Sequence, residues 1–241
     1  MVDNYVMTVP RTVPKRAIKI MLEKNDCKKW TIGFEEGKDG YRHYQIRLAT
    51  SNRDFFQWIK NHIPTAHVEK ATQEWNDYER KSGNFVSSDD TNQIRQIRFG
   101  ALRPLQKKIL KTVRNQNDRE IDVFLDPNGN HGKSWLAVHL WERGSALIVP
   151  RSESSASKIS AFICSAYRGE EYIIIDIPRS AKPSPQWYET MEEIKDGLVF
   201  DPRYHGQCRN IRGCKLIVFT NIELDKKRLS HDRWRLHGVK I

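Results

Sequence analysis

Ile121-Asp-Val-Phe-Leu125 runs into Pro127-Asn-Gly-Asn-His-Gly-Lys133-Ser134, and this stretch decides the architecture of the second half of the chain. An apolar run, a glycine-bearing loop and a Lys-Ser pair opening a helix form the pattern of a strand that feeds a phosphate-binding loop. Backbone N–H groups from Gly129 through Asn130 and His131 to Gly132 are expected to cradle phosphates, aided by the helix N-terminus. Lys133 is expected to reach the β- and γ-phosphates and Ser134 to ligate Mg²⁺, so ATP with Mg²⁺ is the expected cofactor. The motif departs from G-x-x-x-x-G-K-S at its first position, where Pro127 replaces glycine.

Outward from this loop, residues 121–125, 146–149, 172–175 and 215–220 are continuous apolar runs, with helical stretches near 132–141, 155–167 and 187–195. Unalternating strands separated by helices predict a parallel sheet covered on both faces, an α/β nucleotide-binding domain. Tyr172-Ile-Ile-Ile-Asp176 ends in an acid suited to Mg²⁺, followed by Ile177 rather than a second acid. Neither Glu170 nor Glu171 can be given the water-orienting role. Lys215-Leu-Ile-Val-Phe-Thr-Asn221 is a third buried strand with a polar end.

The first part of the chain reads differently. Short strands at 5–9, 30–34, 42–48 and 67–70 accompany helices at 14–24 and 52–63, the first with Ile18, Met21 and Leu22 on one face. Glu36-Gly-Lys-Asp-Gly40 joins two strands as a hairpin. An antiparallel sheet with helices on one face is expected, an α+β sandwich. With a period of two, His43, Gln45 and Arg47 share one strand face while Tyr44, Ile46 and Leu48 turn to the core. His43, Gln45 and a carboxylate from Glu36 make a nitrogen/oxygen donor set for Mg²⁺ or Mn²⁺; an unliganded histidine on a solvated strand is the alternative. Residues 74–81 read as a helix with Tyr78 and Lys81 on one face. A tyrosine hydroxyl beside an ammonium can attack a phosphodiester; a surface tyrosine on an ordinary amphipathic helix is the other reading.

The 241 residues suffice for one large domain or two small ones. Lysine and arginine number 41 against 30 acids, a formal charge of +11. That excess points to a polyanion, most simply nucleic acid, or to a basic surface kept for solubility. No run approaches the roughly 18 apolar residues of a membrane span. The N-terminus lacks the layout of a signal peptide, so secretion is not expected. Cys27, Cys164, Cys208 and Cys214 have no framework spacing and read as reduced thiols. A zinc site from His205, Cys208 and Cys214 has no CxxC pair behind it. Residues 91–114 carry seven bases and no acid, with Leu102, Leu105, Ile109 and Val113 at helical spacing. Two readings stand equal there: a helix packed on its own domain, or a connector whose stripe joins copies of the chain while its charges meet DNA.

Tyr5-Val-Met-Thr-Val9, His43-Tyr-Gln45 and Tyr78-x-x-Lys81, in this order and spacing, resemble the HUH endonuclease domain of replication initiators. The closest likeness is to Rep proteins of small circular single-stranded DNA viruses, with a smacovirus-like flavour. That family has a hydrophobic-x-Gln version of the second motif, which Gln45 matches, and an acid shortly before the histidine, for which Glu36 is the matching position. The phosphate loop, Asp176 and Asn221, in that order, resemble the superfamily 3 helicase domain of the same proteins. Asn221 then resembles the sensor asparagine. Arg233, in Asp232-Arg-Trp-Arg235, becomes the candidate arginine finger, with Arg228 and Arg235 as competitors.

The resemblance implies an HUH endonuclease domain (1–90), a basic linker or oligomerisation helix (91–115) and an AAA+-like P-loop helicase domain (116–241). It implies metal-dependent nicking and rejoining of single-stranded origin stem-loop DNA through a covalent 5′-phosphotyrosine, with ATP-driven unwinding by a homo-oligomer, a hexamer in the family. Localisation would be the nucleus of a eukaryotic host, otherwise the cytoplasm. Two rivals remain: a P-loop nucleic-acid motor whose first domain binds without cleaving, and a non-catalytic DNA- or RNA-binding module.

Overall fold

A computed structural model describes residues 2–72, 78–151, 155–181, 183–203 and 206–239. The chain divides into two compact units, 1–98 and 99–241.

The first unit is built on one antiparallel sheet. In chain order it holds β1 (Asp3–Pro10), α1 (Lys15–Lys24), β2 (Lys29–Glu36), β3 (Arg42–Thr50), α2 (Phe55–His62), β4 (His67–Lys70), β5 (Phe85–Ser87) and α3 (Asn92–Phe99), with a 3₁₀ turn at Tyr78–Arg80 between β4 and β5. The strand order is β4-β1-β3-β2-β5. Tyr44, Ile46 and Leu48 of β3 lie buried with Ile18, Met21 and Leu22 of α1 and Phe55 and Ile59 of α2. The alternation of β3 therefore gives one face to the helices and leaves His43, Gln45 and Arg47 on the other. Met21 and Ile59 are fully buried, each contributing roughly 1.5–3 kcal/mol of hydrophobic stabilisation.

The second unit holds α4 (Pro104–Arg114), β6 (Ile121–Leu125), α5 (Lys133–Glu142), β7 (Ala146–Ile148), α6 (Ala156–Ala166), β8 (Tyr172–Ile177), α7 (Pro185–Asp196), β9 (Leu198–Asp201), β10 (Gln207–Asn210), β11 (Lys215–Thr220) and β12 (Trp234–Gly238). Five of these strands form a parallel sheet in the order β12-β6-β11-β8-β7. Every residue of β8 is buried, as expected for a strand covered on both faces. β9 and β10 form a separate antiparallel hairpin. Among the described residues no helix is long and apolar enough to cross a membrane.

Two sequence expectations need correction. Residues 91–114 form two helices rather than one, because Pro104 cannot continue a helix and opens a new one at its first position. The apolar stripe of α4 faces its own unit: Ile109 and Val113 are buried with Phe124, Leu136 and Phe219, which favours, of the two readings, a helix packed on its own domain. The helix expected at 74–81 is only a 3₁₀ turn in its described part, Tyr78–Arg80; residues 74–77 lie outside the described residues.

Candidate functional site

The antiparallel register of the first unit assembles its polar face. Thr8 and Gly33 flank Gln45 across the sheet, and Pro10 and Glu35 flank His43. Glu35 thereby shares the face of His43 and Gln45, with Oε2 3.9 Å from His43 Nε2. Glu36, the acid expected from sequence, has the opposite parity and pairs at 2.8 Å with exposed Arg42. Glu35 is the carboxylate at this site. Its Oε1 is buried with no hydrogen-bond partner, which marks an acceptor aimed at something other than the protein. His43 Nδ1 lies 3.3 Å from the Tyr41 carbonyl. Donation from Nδ1–H would leave the Nε2 lone pair facing Glu35, the tautomer a metal ligand needs. The Gln45 Oε1 accepts from Thr8 Oγ1 at 3.0 Å. One imidazole nitrogen, one carboxylate and one amide oxygen fit a hard divalent cation. Without the amide there is no such group, since no cluster of three His, Cys, Asp or Glu side chains occurs among the described residues.

Tyr78 and Lys81 reach the same face. Lys81 Nζ lies 3.0 Å from Glu35 Oε2 and 3.6 Å from the centre of the Tyr78 ring. Burial would lower the Lys81 pKa, but hydrogen bonds with Tyr78 and Glu35 outweigh it and hold the ammonium above the ordinary lysine value. Tyr78 is 54% exposed, open to a large substrate. Two contacts of Glu79, neither evident from local sequence, hold this turn. Its side chain forms a buried ion pair with Arg47 at 3.2 Å. Its carbonyl packs on Gly33 so closely that a Cβ there would lie 2.4 Å away, and only glycine admits such an approach.

In the second unit the carboxyl ends of neighbouring strands β6, β11 and β8 lie side by side, where ligands bind open α/β sheets. The loop after β6 has left-handed Gly129, Asn130 and Gly132, and Gly132 caps α5. Asp126, not singled out from sequence, organises this loop. Its carboxylate accepts from Gly129 N–H at 2.8 Å and meets His131 Nδ1 at 2.8 Å and Lys133 Nζ at 2.5 Å. Burial would raise its pKa, but Lys133 and His131 hold it below the ordinary carboxylate value. Asn221, just past β11, donates to the Asp126 carbonyl. Ser134 Oγ lies 3.1 Å from Asp176 Oδ2, so the two oxygens assigned to Mg²⁺ adjoin. Two further arginines were missed because their partners are distant in sequence. Arg151 pairs with Asp176, and Arg179 donates to the Pro127 carbonyl at 2.7 Å.

Arg233, the expected arginine finger, is 3% exposed, with Nη2 at 2.9 Å from Asp196 and 3.0 Å from Glu192, so in this structure it is paired within its own unit. Arg235 is held by Glu120 and Asp122. Arg228 is exposed beside Asp225. The zinc reading gains nothing: Cys208 is exposed, Cys214 is buried, and His205 lies outside the described residues.

No protein-family model matches the chain. It is similar to the Master replication protein of Banana bunchy top virus, 23% identical over 288 aligned positions that span 96% of each protein. The Para-Rep C10 of Milk vetch dwarf C10 alphasatellite is 28% identical over 144 residues, 56% of this chain and 47% of that protein. The Master replication protein of Subterranean clover stunt virus is 26% identical over 130 residues, 54% of this chain and 43% of its own length. The homologues of the chain are thus replication proteins of circular single-stranded DNA viruses and their satellites.

Proposed function

We propose that the protein initiates rolling-circle replication, nicking and rejoining single-stranded origin stem-loop DNA with its first unit and unwinding DNA with ATP in its second. The observation that carries this reading is the gathering of Glu35, His43, Gln45, Tyr78 and Lys81 on one sheet face. Similarity to the Master replication proteins over the length of the chain supports it, as does the charge of +11. In these terms the first unit is an HUH endonuclease and the second an AAA+-like superfamily 3 helicase.

In the nicking step the Tyr78 oxygen attacks the scissile phosphorus and the bond to the 3′ oxygen breaks. A 5′-phosphotyrosine and a free 3′-OH result, with the phenolic proton passing to solvent and the leaving oxygen taking one up. Lys81 holds positive charge beside the phenol and the phosphate. Glu35, His43 and Gln45 would hold Mg²⁺ or Mn²⁺, which supplies Lewis-acid polarisation of the phosphate. Rejoining reverses the step and needs no nucleotide, because the link to tyrosine conserves the phosphodiester energy.

In the second unit Gly129–Gly132 N–H groups and Lys133 would bind the triphosphate of ATP, and Ser134 and Asp176 its Mg²⁺. Asn221 would stand at the γ-phosphate end. In a homo-oligomer, a hexamer by family resemblance, Arg228 is the finger candidate that exposure favours.

The test is a labelled origin stem-loop oligonucleotide with Mn²⁺. Wild type should form a covalent protein–DNA adduct and Tyr78→Phe none; an adduct of undiminished yield in the variant would refute the nicking assignment. ATP turnover should disappear in Lys133→Ala while nicking survives.

A further inference from the structure

We infer that Arg151 is a positioning residue of the phosphate loop, an internal cation that Mg²⁺ must displace from Asp176 and Ser134. The inference rests on assigning that loop to Mg²⁺–ATP. Arg151 follows β7, the edge strand beside β8. Its Nη2 forms an ion pair with Asp176 Oδ2 and lies 3.5 Å from Ser134 Oγ, while those two oxygens are 3.1 Å apart. One guanidinium nitrogen therefore lies against both oxygens, of Ser134 and Asp176, that would hold Mg²⁺ under the loop assignment. An arginine and Mg²⁺ cannot both hold that position, because each needs the same lone pairs and the two repel.

The exchange is within reach energetically. Asp176 is nearly buried, but the Arg151 side chain is 53% exposed, so water solvates the guanidinium once it is released. A pair so exposed on one side is weak enough for a dication to break and strong enough to lower metal affinity. Among the described residues Arg151 is the ion-pair partner of Asp176. Arg151 thus sets the metal concentration at which the loop becomes competent, through competition and not by touching the reacting atoms.

The test measures Mn²⁺ uptake by the full chain, by electron paramagnetic resonance of the free ion. A Glu35→Gln background removes the carboxylate of the other candidate metal site. Arg151→Gln should take up Mn²⁺ about fivefold more tightly than its parent, the size expected for loss of a half-exposed competing charge. Arg151→Lys, which keeps a charge, should stay near the parent, and Asp176→Asn should abolish the tight site. Equal or weaker uptake in Arg151→Gln, with the Asp176→Asn loss intact, overturns the inference and leaves the loop assignment standing. Uptake indifferent to Asp176→Asn, with ATP binding indifferent to Lys133→Ala, overturns the loop assignment and the inference with it. Arg151→Met, checked for folding by circular dichroism, gives the same reading should the glutamine variant misfold.

Discussion

Replacing Glu79 by alanine removes one half of a buried ion pair. Arg47 and Glu79 are 5% and 1% exposed, and their side chains meet at 3.2 Å. Breaking such a pair strands a desolvated charge and costs about 3–5 kcal/mol, a large share of the roughly 5–15 kcal/mol that holds a typical domain folded. For a unit of 98 residues, the low end of that loss corresponds to a fall in melting temperature of roughly 12–24 °C. Thermal and urea unfolding of the full chain, followed by Trp fluorescence, should show a lowered first transition. The transition lost in Lys133-loop variants or protected by ATP marks the second unit and should not move. The double variant Arg47→Met, Glu79→Leu should recover most of the loss, since a packed apolar pair removes both charges. A loss below about 1 kcal/mol in Glu79→Ala, the size of an exposed pair, would refute the idea that this bond anchors the tyrosine turn.

Other outcomes follow from the same geometry. Glu35→Gln should abolish metal-dependent nicking and Glu36→Gln should leave it near wild type; nicking assays at fixed Mn²⁺ compare the two, and equal losses would contradict the strand parity. Asp90, although partly desolvated, has its pKa held below the ordinary 3.8 by Arg98, with a backbone bond from Ser87 and charge from Arg95. A depressed folded-state value means its stabilisation is complete above the unfolded value near 3.9 and is lost as pH falls below it. The fall in urea midpoint between pH 5 and pH 3 should therefore be smaller in Asp90→Asn than in wild type. Of the four free cysteines only Cys208 is exposed, and burial pushes the Cys27 and Cys214 thiols up to about 11. A thiol reagent at pH 8 should label Cys208 rapidly and the others only on unfolding, as counted by mass spectrometry.

The β6 loop, β8 and β11 are legible in sequence because continuous apolar runs ending in glycine, acid or amide have few other uses. The β9–β10 hairpin and β12 are not. β10 is exposed at every residue, and β12 mixes Trp, Arg, Leu and His at a sheet edge, so neither carries the alternation of a half-buried strand. The choice between Glu35 and Glu36 was open to counting. The turn of the β2–β3 hairpin closes on the pair Glu36 and Arg42, which places Glu35 opposite His43, and a slip of one residue exchanges the faces. The partnerships Arg47–Glu79 and Arg151–Asp176 join residues 32 and 25 positions apart, and nothing local in either segment announces them.

Glu79 grips the sheet twice, through its carboxylate on Arg47 and its carbonyl on Gly33, while its neighbour Tyr78 stands open to solvent. The main chain beside Tyr78 is thus fixed, while its half-exposed ring packs against Lys81. Under the proposed chemistry, a DNA end captured on that oxygen is tethered to a stationary point within a side chain's length of the donors that cleaved it. Its return to a 3′-OH held on the same face is then effectively intramolecular, and such arrangements can be worth about 10⁵ M or more in effective concentration. The double grip would let the strand end wait for its partner without being lost to bulk solvent.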